Sequence, residues 1–116
     1  MTEEELKART KKFALRTMRL TRALPRTPEG RAIGGQLVRC GPSVGASYRA
    51  ACRGRSKADF VAKLAIAEEE ADESAYWMEL IIDAGLVPEA RVGGLLQEAN
   101  ELTAILSASR KRARGT

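Results

Sequence analysis

Residues 36–80 constrain the fold more than any other part of this chain. They show no period-two alternation and read as two long helices around one sharp break at Gly54-Arg55-Ser56. After the break, Ser56 and Asp59 have the Ser-x-x-Asp spacing of a capping box. Phe60, Leu64, Ala67, Ala71, Ser74, Met78 and Ile81 then recur at three- and four-residue steps, up to Gly85 in the position of a C′ glycine. A second face of this helix carries Ile66, Glu70, Glu73, Trp77 and Leu80, and a third, wet face carries Glu68, Asp72, Glu79 and Asp83. Apolar residues on two faces predict a helix more buried than a simple surface helix.

The flanks continue the helical period. An N-terminal segment, 2–24, has one stripe of Leu6, Thr10, Phe13, Thr17, Leu20 and Leu24 and is ended by Pro25 and Thr27-Pro28. The second segment, 28–53, starts with Thr27 as N-cap and Pro28 at the first helical position. Its buried side is marked by Ile33, Leu37, Cys40, Val44, Ser47 and Ala51. Pro42 inside this pattern predicts a kink near Val38–Pro42, the alternative being a loop at 41–43. Gly34, Gly35, Gly41 and Gly45 each cost a helix about 1 kcal/mol against Ala, which close approach of another helix would offset. The third segment is 57–84. The fourth, 88–112, is lined by Val92, Leu95, Ala99, Leu102 and Leu106. Short connections between four helices predict an all-α, antiparallel up-down-up-down bundle in a single domain, 1–116. Small residues along the central hairpin favour self-association.

Several chemistries are excluded or disfavoured by composition. The chain has no histidine, so the commonest general base and the commonest transition-metal ligand are missing. Cys40 and Cys52, if on one helix, lie about 18 Å apart along its axis, too far for a disulfide. No Gly-Lys-Ser/Thr phosphate loop, nucleophile elbow or Cys-x-x-Cys occurs. No enzyme activity, cofactor or metal is expected. The acidic N-terminus and the lack of an 18-residue apolar run point to a cytoplasmic protein away from membranes.

Charge is the remaining signal. Residues 1–55 hold 13 Lys/Arg against 4 Asp/Glu, a net +9, and residues 56–116 hold 7 against 11, a net −4. Arg9, Lys12, Arg16, Arg19, Arg22 and Arg26 fall on one broad arc of the first segment, away from its apolar stripe. Arg110, Lys111, Arg112 and Arg114 form a second basic cluster, read as a mobile tail. Both clusters are candidates for phosphate contact; the first is also explained as a solvated face or one paired with the acids of a neighbour, and the second as a helix-dipole complement. Leu15 projects into the first arc, which suits a subunit contact. Glu70 and Glu73, flanked by apolar residues, need cations, and Arg39 and Arg49 on the preceding helix are the candidate partners in structural ion pairs. A carboxylate metal site and acid–base catalysis are weaker readings, since the di-iron bundle pattern requires Glu-x-x-His.

Taken together, Gln36-Leu37-Val38-Arg39, Ser43-Val44-Gly45-Ala46-Ser47-Tyr48-Arg49-Ala50-Ala51, Asp59-Phe60, Lys63-Leu64, Ala67, Glu70-Ala71, Glu73-Ser74 and Tyr76-Trp77 resemble one family. It comprises the small four-helix-bundle proteins encoded in intervening sequences of bacterial large-subunit ribosomal RNA genes, similar in turn to the accessory variability protein of retroelements. Cys40 and Pro42 stand where that pattern usually has small hydroxyl residues, and Ser47 where it has Asn. The resemblance implies a ring-forming bundle, a homopentamer, that associates with nucleic acid and has no known catalytic activity. The expected function is therefore that of a non-enzymatic accessory protein binding RNA or DNA through surface charge. The alternative is a protein-interaction scaffold that docks an acidic partner such as a nucleic-acid enzyme.

Overall fold

The computed structural model describes residues 1–115; Thr116 lies outside the described residues. Four helices make up the chain: α1 (Glu3–Ala23), α2 (Pro28–Cys52), α3 (Lys57–Asp83) and α4 (Glu89–Gly115). No strand occurs among the described residues. The helices form an elongated bundle of 46 × 21 × 20 Å. α1 packs on α2, α2 on α3 and α3 on α4; α4 closes the bundle against α1 over a shorter contact. α1 and α3 therefore lie on opposite corners.

Local chemistry explains each boundary. Thr2 and Glu5 form a complete capping box: Thr2 Oγ1 accepts from Glu5 N at 3.1 Å and Glu5 Oε1 accepts from Thr2 N at 3.2 Å. At α3 only half of the expected box forms. Ser56 Oγ accepts from Asp59 N at 3.0 Å, but Asp59 Oδ2 accepts from Arg55 N at 3.3 Å rather than from Ser56 N. Aspartate is one methylene shorter than the glutamate such a box prefers. α3 ends in a full Schellman motif: Leu86 N donates to Ile81 O and Gly85 N to Ile82 O, both at 3.0 Å. Gly85 supplies the required left-handed residue, with φ +68°.

The core follows the predicted stripes. Leu6, Thr10, Phe13, Thr17 and Leu20 of α1 are buried, as are Leu37, Cys40, Val44 and Ala51 of α2. On α3 the buried residues are Leu64, Ala67, Ala71, Ser74, Met78 and Ile81, and on α4 they are Val92, Leu95, Ala99, Leu102 and Leu106. Cys40 is a free, buried thiol and Cys52 a free, half-buried one. The two buried threonines of α1 satisfy their hydroxyls within their own helix: Thr10 Oγ1 donates to Leu6 O at 2.9 Å and Thr17 Oγ1 to Ala14 O at 2.7 Å. They pack against glycines. A Cβ on Gly41 would lie 2.4 Å from Thr17 Oγ1, and one on Gly45 would lie 3.1 Å from Thr10 Oγ1. Those glycines are where α2 meets α1 most closely.

α2 is unbroken from Pro28 to Cys52, so Pro42 lies inside a helix as expected and the alternative, a loop at 41–43, does not form. Two features differ from what the sequence suggests. α4 continues to Gly115, and the basic cluster at its end is helical rather than a mobile tail. The second face of α3 is half-buried: Glu70, Glu73, Trp77 and Leu80 are partly covered and Trp77 packs on the core, while Ile66 is 47% exposed.

Candidate nucleic-acid interface

The basic arc of α1 is divided among three surroundings. Arg9 faces α4, and its Nε and Nη2 donate to Glu98 at 2.7 Å while Nη2 also donates to Glu101 at 2.7 Å. Both contacts hold the Arg9 guanidinium above its usual pKa, with the Glu98 hydrogen bond the largest cause. Two turns further on, Arg16 and Arg19 line a groove of about 220 Å³ between α1 and α4, with Arg91 on the opposite wall. Arg22 and Arg26 open instead onto the other side of α1. There they line a groove of about 680 Å³ with Arg31, Gly34, Gly35 and Val38 of α2. Lys12 is exposed on the same helix.

That second flank of α1 continues toward its N-terminus as a further groove of about 470 Å³, where Lys11 and Arg49 stand among Ala14, Pro42 and Ala46 and where Glu4 meets Lys7 at one end. Both sides of α1 are thus walled by cations. Sequence reasoning missed Lys11, Arg31, Arg49 and Arg91 as members of these walls. The available signal was position: Arg31 and Arg91 stand near the starts of α2 and α4, where a cation opposes the helix dipole and gains nothing from it.

The C-terminal cluster also divides. Arg110 Nε donates to Glu68 Oε1 at 2.8 Å, tying the end of α4 to α3 and raising the Arg110 pKa. Lys111, Arg112 and Arg114 are exposed. Arg112 Nη2 reaches Ser109 Oγ at 3.4 Å on the preceding turn, and Arg114 lines a shallow α3–α4 groove with Lys57 and Val61.

The carboxylates of α3 part ways. Glu73 is held by two donors: Arg39 Nη2 at 2.7 Å and Trp77 Nε1 at 3.0 Å, both to Oε2. Glu70 is not paired. Its Oε2 is buried without a hydrogen-bond partner among the described residues. Burial raises its pKa most, the Glu73 charge adds to that, and Arg39 opposes both. Arg49 partners neither glutamate and makes no ion pair among the described residues. Ten residues rotate it about 80° around α2 from Arg39, toward α1. Beneath these groups, Ser74 Oγ donates to Glu70 O at 2.8 Å and lies 3.2 Å from Cys40 Sγ, and burial pushes the Cys40 thiol up.

Ion pairing leaves a pattern. Among the described residues, Lys7, Arg9, Arg39, Lys63 and Arg110 are the cations paired with carboxylates. Lys11, Lys12, Arg16, Arg19, Arg22, Arg26, Arg31, Arg49 and Arg91 are not, and all lie on or beside α1. A second group of unpaired cations, Arg53, Arg55, Lys57, Lys111, Arg112 and Arg114, lies at the α2–α3 turn and the end of α4. Unpaired acids are most numerous on α3, at Glu69, Asp72, Glu79 and Asp83, with Glu29 on α2 and Glu89 on α4. Free positive charge is thus densest around α1 and free negative charge on α3.

No helix among the described residues is long and apolar enough to cross a membrane. No group of three or more Cys, Asp or Glu side chains among them is placed to hold a metal ion.

The chain is similar to a protein of unknown function from the S23 ribosomal protein family of Bacteroides thetaiotaomicron, known from a crystal structure. The two share 31% identity over 91% of this chain and 98% of the other, with a TM-score of 0.85. No curated protein matches. The family model of the 23S rRNA-intervening sequence protein matches residues 3–108, nearly the whole bundle. With these helices, this core and that match, the chain belongs to the 23S rRNA-intervening sequence protein family.

Proposed function

We propose that this protein is a non-enzymatic accessory protein that binds nucleic acid, RNA in the first instance, through the cationic walls on both sides of α1. The observation that carries this reading is the run of unpaired cations along both flanks of α1. Lys7 and Arg9 are matched with carboxylates; Lys11, Lys12, Arg16, Arg19, Arg22 and Arg26, with Arg31, Arg49 and Arg91 facing them, are not, and a polyanion is the partner that matches them. Stacking platforms are lacking on that side, since Trp77 and Tyr76 stand together on α3. Binding is therefore governed by backbone charge and has little sequence preference.

The test is affinity for a generic single-stranded RNA across a salt series. Engagement of three to five phosphates gives a log–log slope of roughly −2 to −3.5. An affinity that stays level from low to high salt, or no binding at all, refutes the proposal.

Unpaired charge concentrated around α1 and, with the opposite sign, on α3 favours a second reading, self-assembly with the α1 corner of one copy against the α3 corner of the next. Contacts made head to tail in this way close into rings, in keeping with the homopentamer that the family resemblance implies. In the scaffold alternative, an acidic protein such as a nucleic-acid enzyme occupies the α1 side instead. The pairs Thr17–Gly41, Arg39–Glu73 and Arg110–Glu68 support an up-down-up-down, antiparallel order of the helices within each copy. Native mass measured with and without RNA separates these possibilities. A ring gives a multiple of the 12.6 kDa chain before RNA is added.

A further inference from the structure

Arg16, Arg19 and Arg91 form a different kind of cationic site from the rest of the α1 surface. They come from two helices, yet line one groove of about 220 Å³. Arg16 reaches across the seam: its Nη2 lies 3.7 Å from where a Cβ on Gly94 of α4 would stand. None of the three donates to a carboxylate among the described residues. The same α1–α4 seam is treated in the opposite way at Arg9, where α4 supplies Glu98 and Glu101. At Arg16 and Arg19 it supplies another cation.

Three cations line this one small groove with no carboxylate among its walls, so their charges repel one another. Arg91 stands in the first turn of α4, where the helix dipole disfavours it. The remaining walls are Leu20, Ala23 and Leu95, which displace water and strengthen any charge interaction inside. Such a site calls for an anion of more than one charge and with several oxygens, each able to accept from a guanidinium fork. An internal phosphodiester offers one charge and two free oxygens. A phosphomonoester offers a charge of about −1.5 to −2 near neutral pH and three oxygens.

We propose that this groove binds the terminal phosphate of a nucleic-acid strand. The proposal rests on the reading that the α1 side binds nucleic acid, and adds recognition of a strand end to it. The wider groove at Arg22, Arg26 and Arg31 is a poorer candidate. It is three times as large, and Arg31 Nη1 already donates to Arg26 O at 3.1 Å.

The experiment compares one short single-stranded RNA carrying a 5′-phosphate with the same RNA ending in hydroxyls, by fluorescence anisotropy at fixed ionic strength. The phosphorylated RNA binds roughly tenfold more tightly, the equivalent of about one well-made charge-assisted contact. Arg91→Gln removes that preference: the hydroxyl RNA loses only what one cation of the wall contributes, the phosphorylated RNA loses more, and the ratio of the two affinities falls to about one. Arg91 is exposed and makes no side-chain hydrogen bond among the described residues, so circular dichroism of this variant matches the parent. Arg49→Gln, on the other flank of α1, weakens both RNAs alike and keeps the preference. Equal affinity for the two RNAs, or a preference that survives Arg91→Gln, overturns the end site and leaves general RNA binding standing. Failure of both RNAs to bind overturns both readings. Inorganic phosphate is titrated separately. Should it bind as tightly as the RNA end, the groove takes a free oxyanion and the assignment to a strand end is wrong.

Discussion

Glu70 and Glu73 sit one turn apart on α3 and differ in what surrounds them. Glu73 has Arg39 and the Trp77 indole; Glu70 has a buried oxygen with no partner among the described residues. An ion-paired carboxylate on this face would be missed by the fold or the assembly if removed, as expected for Glu73. Glu70, unpartnered in the single protomer, is expected to behave differently. Glu70→Met keeps the length and helix propensity of the side chain and removes the unsatisfied oxygen, so it raises the thermal midpoint at neutral pH. The gain is about 1 kcal/mol, or roughly 4 °C. The pH dependence has a definite sign. The Glu70 pKa is raised in the folded state, so ionised Glu70 costs stability above that pKa, and the cost disappears as acid protonates it. The advantage of Glu70→Met therefore shrinks as pH falls toward 4 and is greatest near pH 7, which thermal melts across that range show directly. That a carboxylate pair was unusual could be read from spacing alone. Which of the two found the arginine could not, because it depends on about 80° of rotation between Arg39 and Arg49 around α2.

At the scale of the helix, the α1–α2 seam is set by threonine against glycine. Gly41→Ala gains about 1 kcal/mol in helix propensity but forces its Cβ into the Thr17 hydroxyl and Cβ, at 2.4 and 2.8 Å. Overpacking of this kind outweighs the gain, and the variant loses about 1–3 kcal/mol by chemical denaturation. Adding Thr17→Ala restores much of that loss, so the two changes are coupled. Gly35→Ala meets nothing within 4 Å and stabilises the protomer by up to about 1 kcal/mol. The sequence shows both glycines in a helical pattern and assigns both to packing; only the threonine opposite Gly41 distinguishes them. The length of α4 was similarly hidden. A run of Arg and Lys reads as a tail, and the Glu68 that anchors Arg110 is 42 residues earlier. Arg110→Gln releases that anchor from α3. It frays the last turns of α4, seen as faster amide exchange over residues 107–115 with little change elsewhere.

Across the whole molecule, the fold was the most legible property and the interface the least. Four apolar stripes, two proline stops, one glycine stop and the break at Gly54-Arg55-Ser56 fix the bundle, since each is a local signal. The charge imbalance between the halves was visible as +9 against −4, but its meaning depends on geometry. The two ends of that imbalance become opposite corners only because α1 and α3 do not touch. If rings form through those corners, added salt dissociates them; native mass measured from low to high ionic strength then shifts toward the single chain. Gly35→Ala reports on the same question. A gain in midpoint without a change in mass places Gly35 outside any subunit contact, and a smaller particle places it within one.

A protomer that lands on a phosphate backbone by its α1 corner turns Glu69, Asp72, Glu79 and Asp83 outward. The coated strand then shows an acidic exterior to its surroundings. A second strand is repelled rather than bridged, so loading stops at a single layer, and excess protein leaves the nucleic acid dispersed where a uniformly cationic protein would condense it.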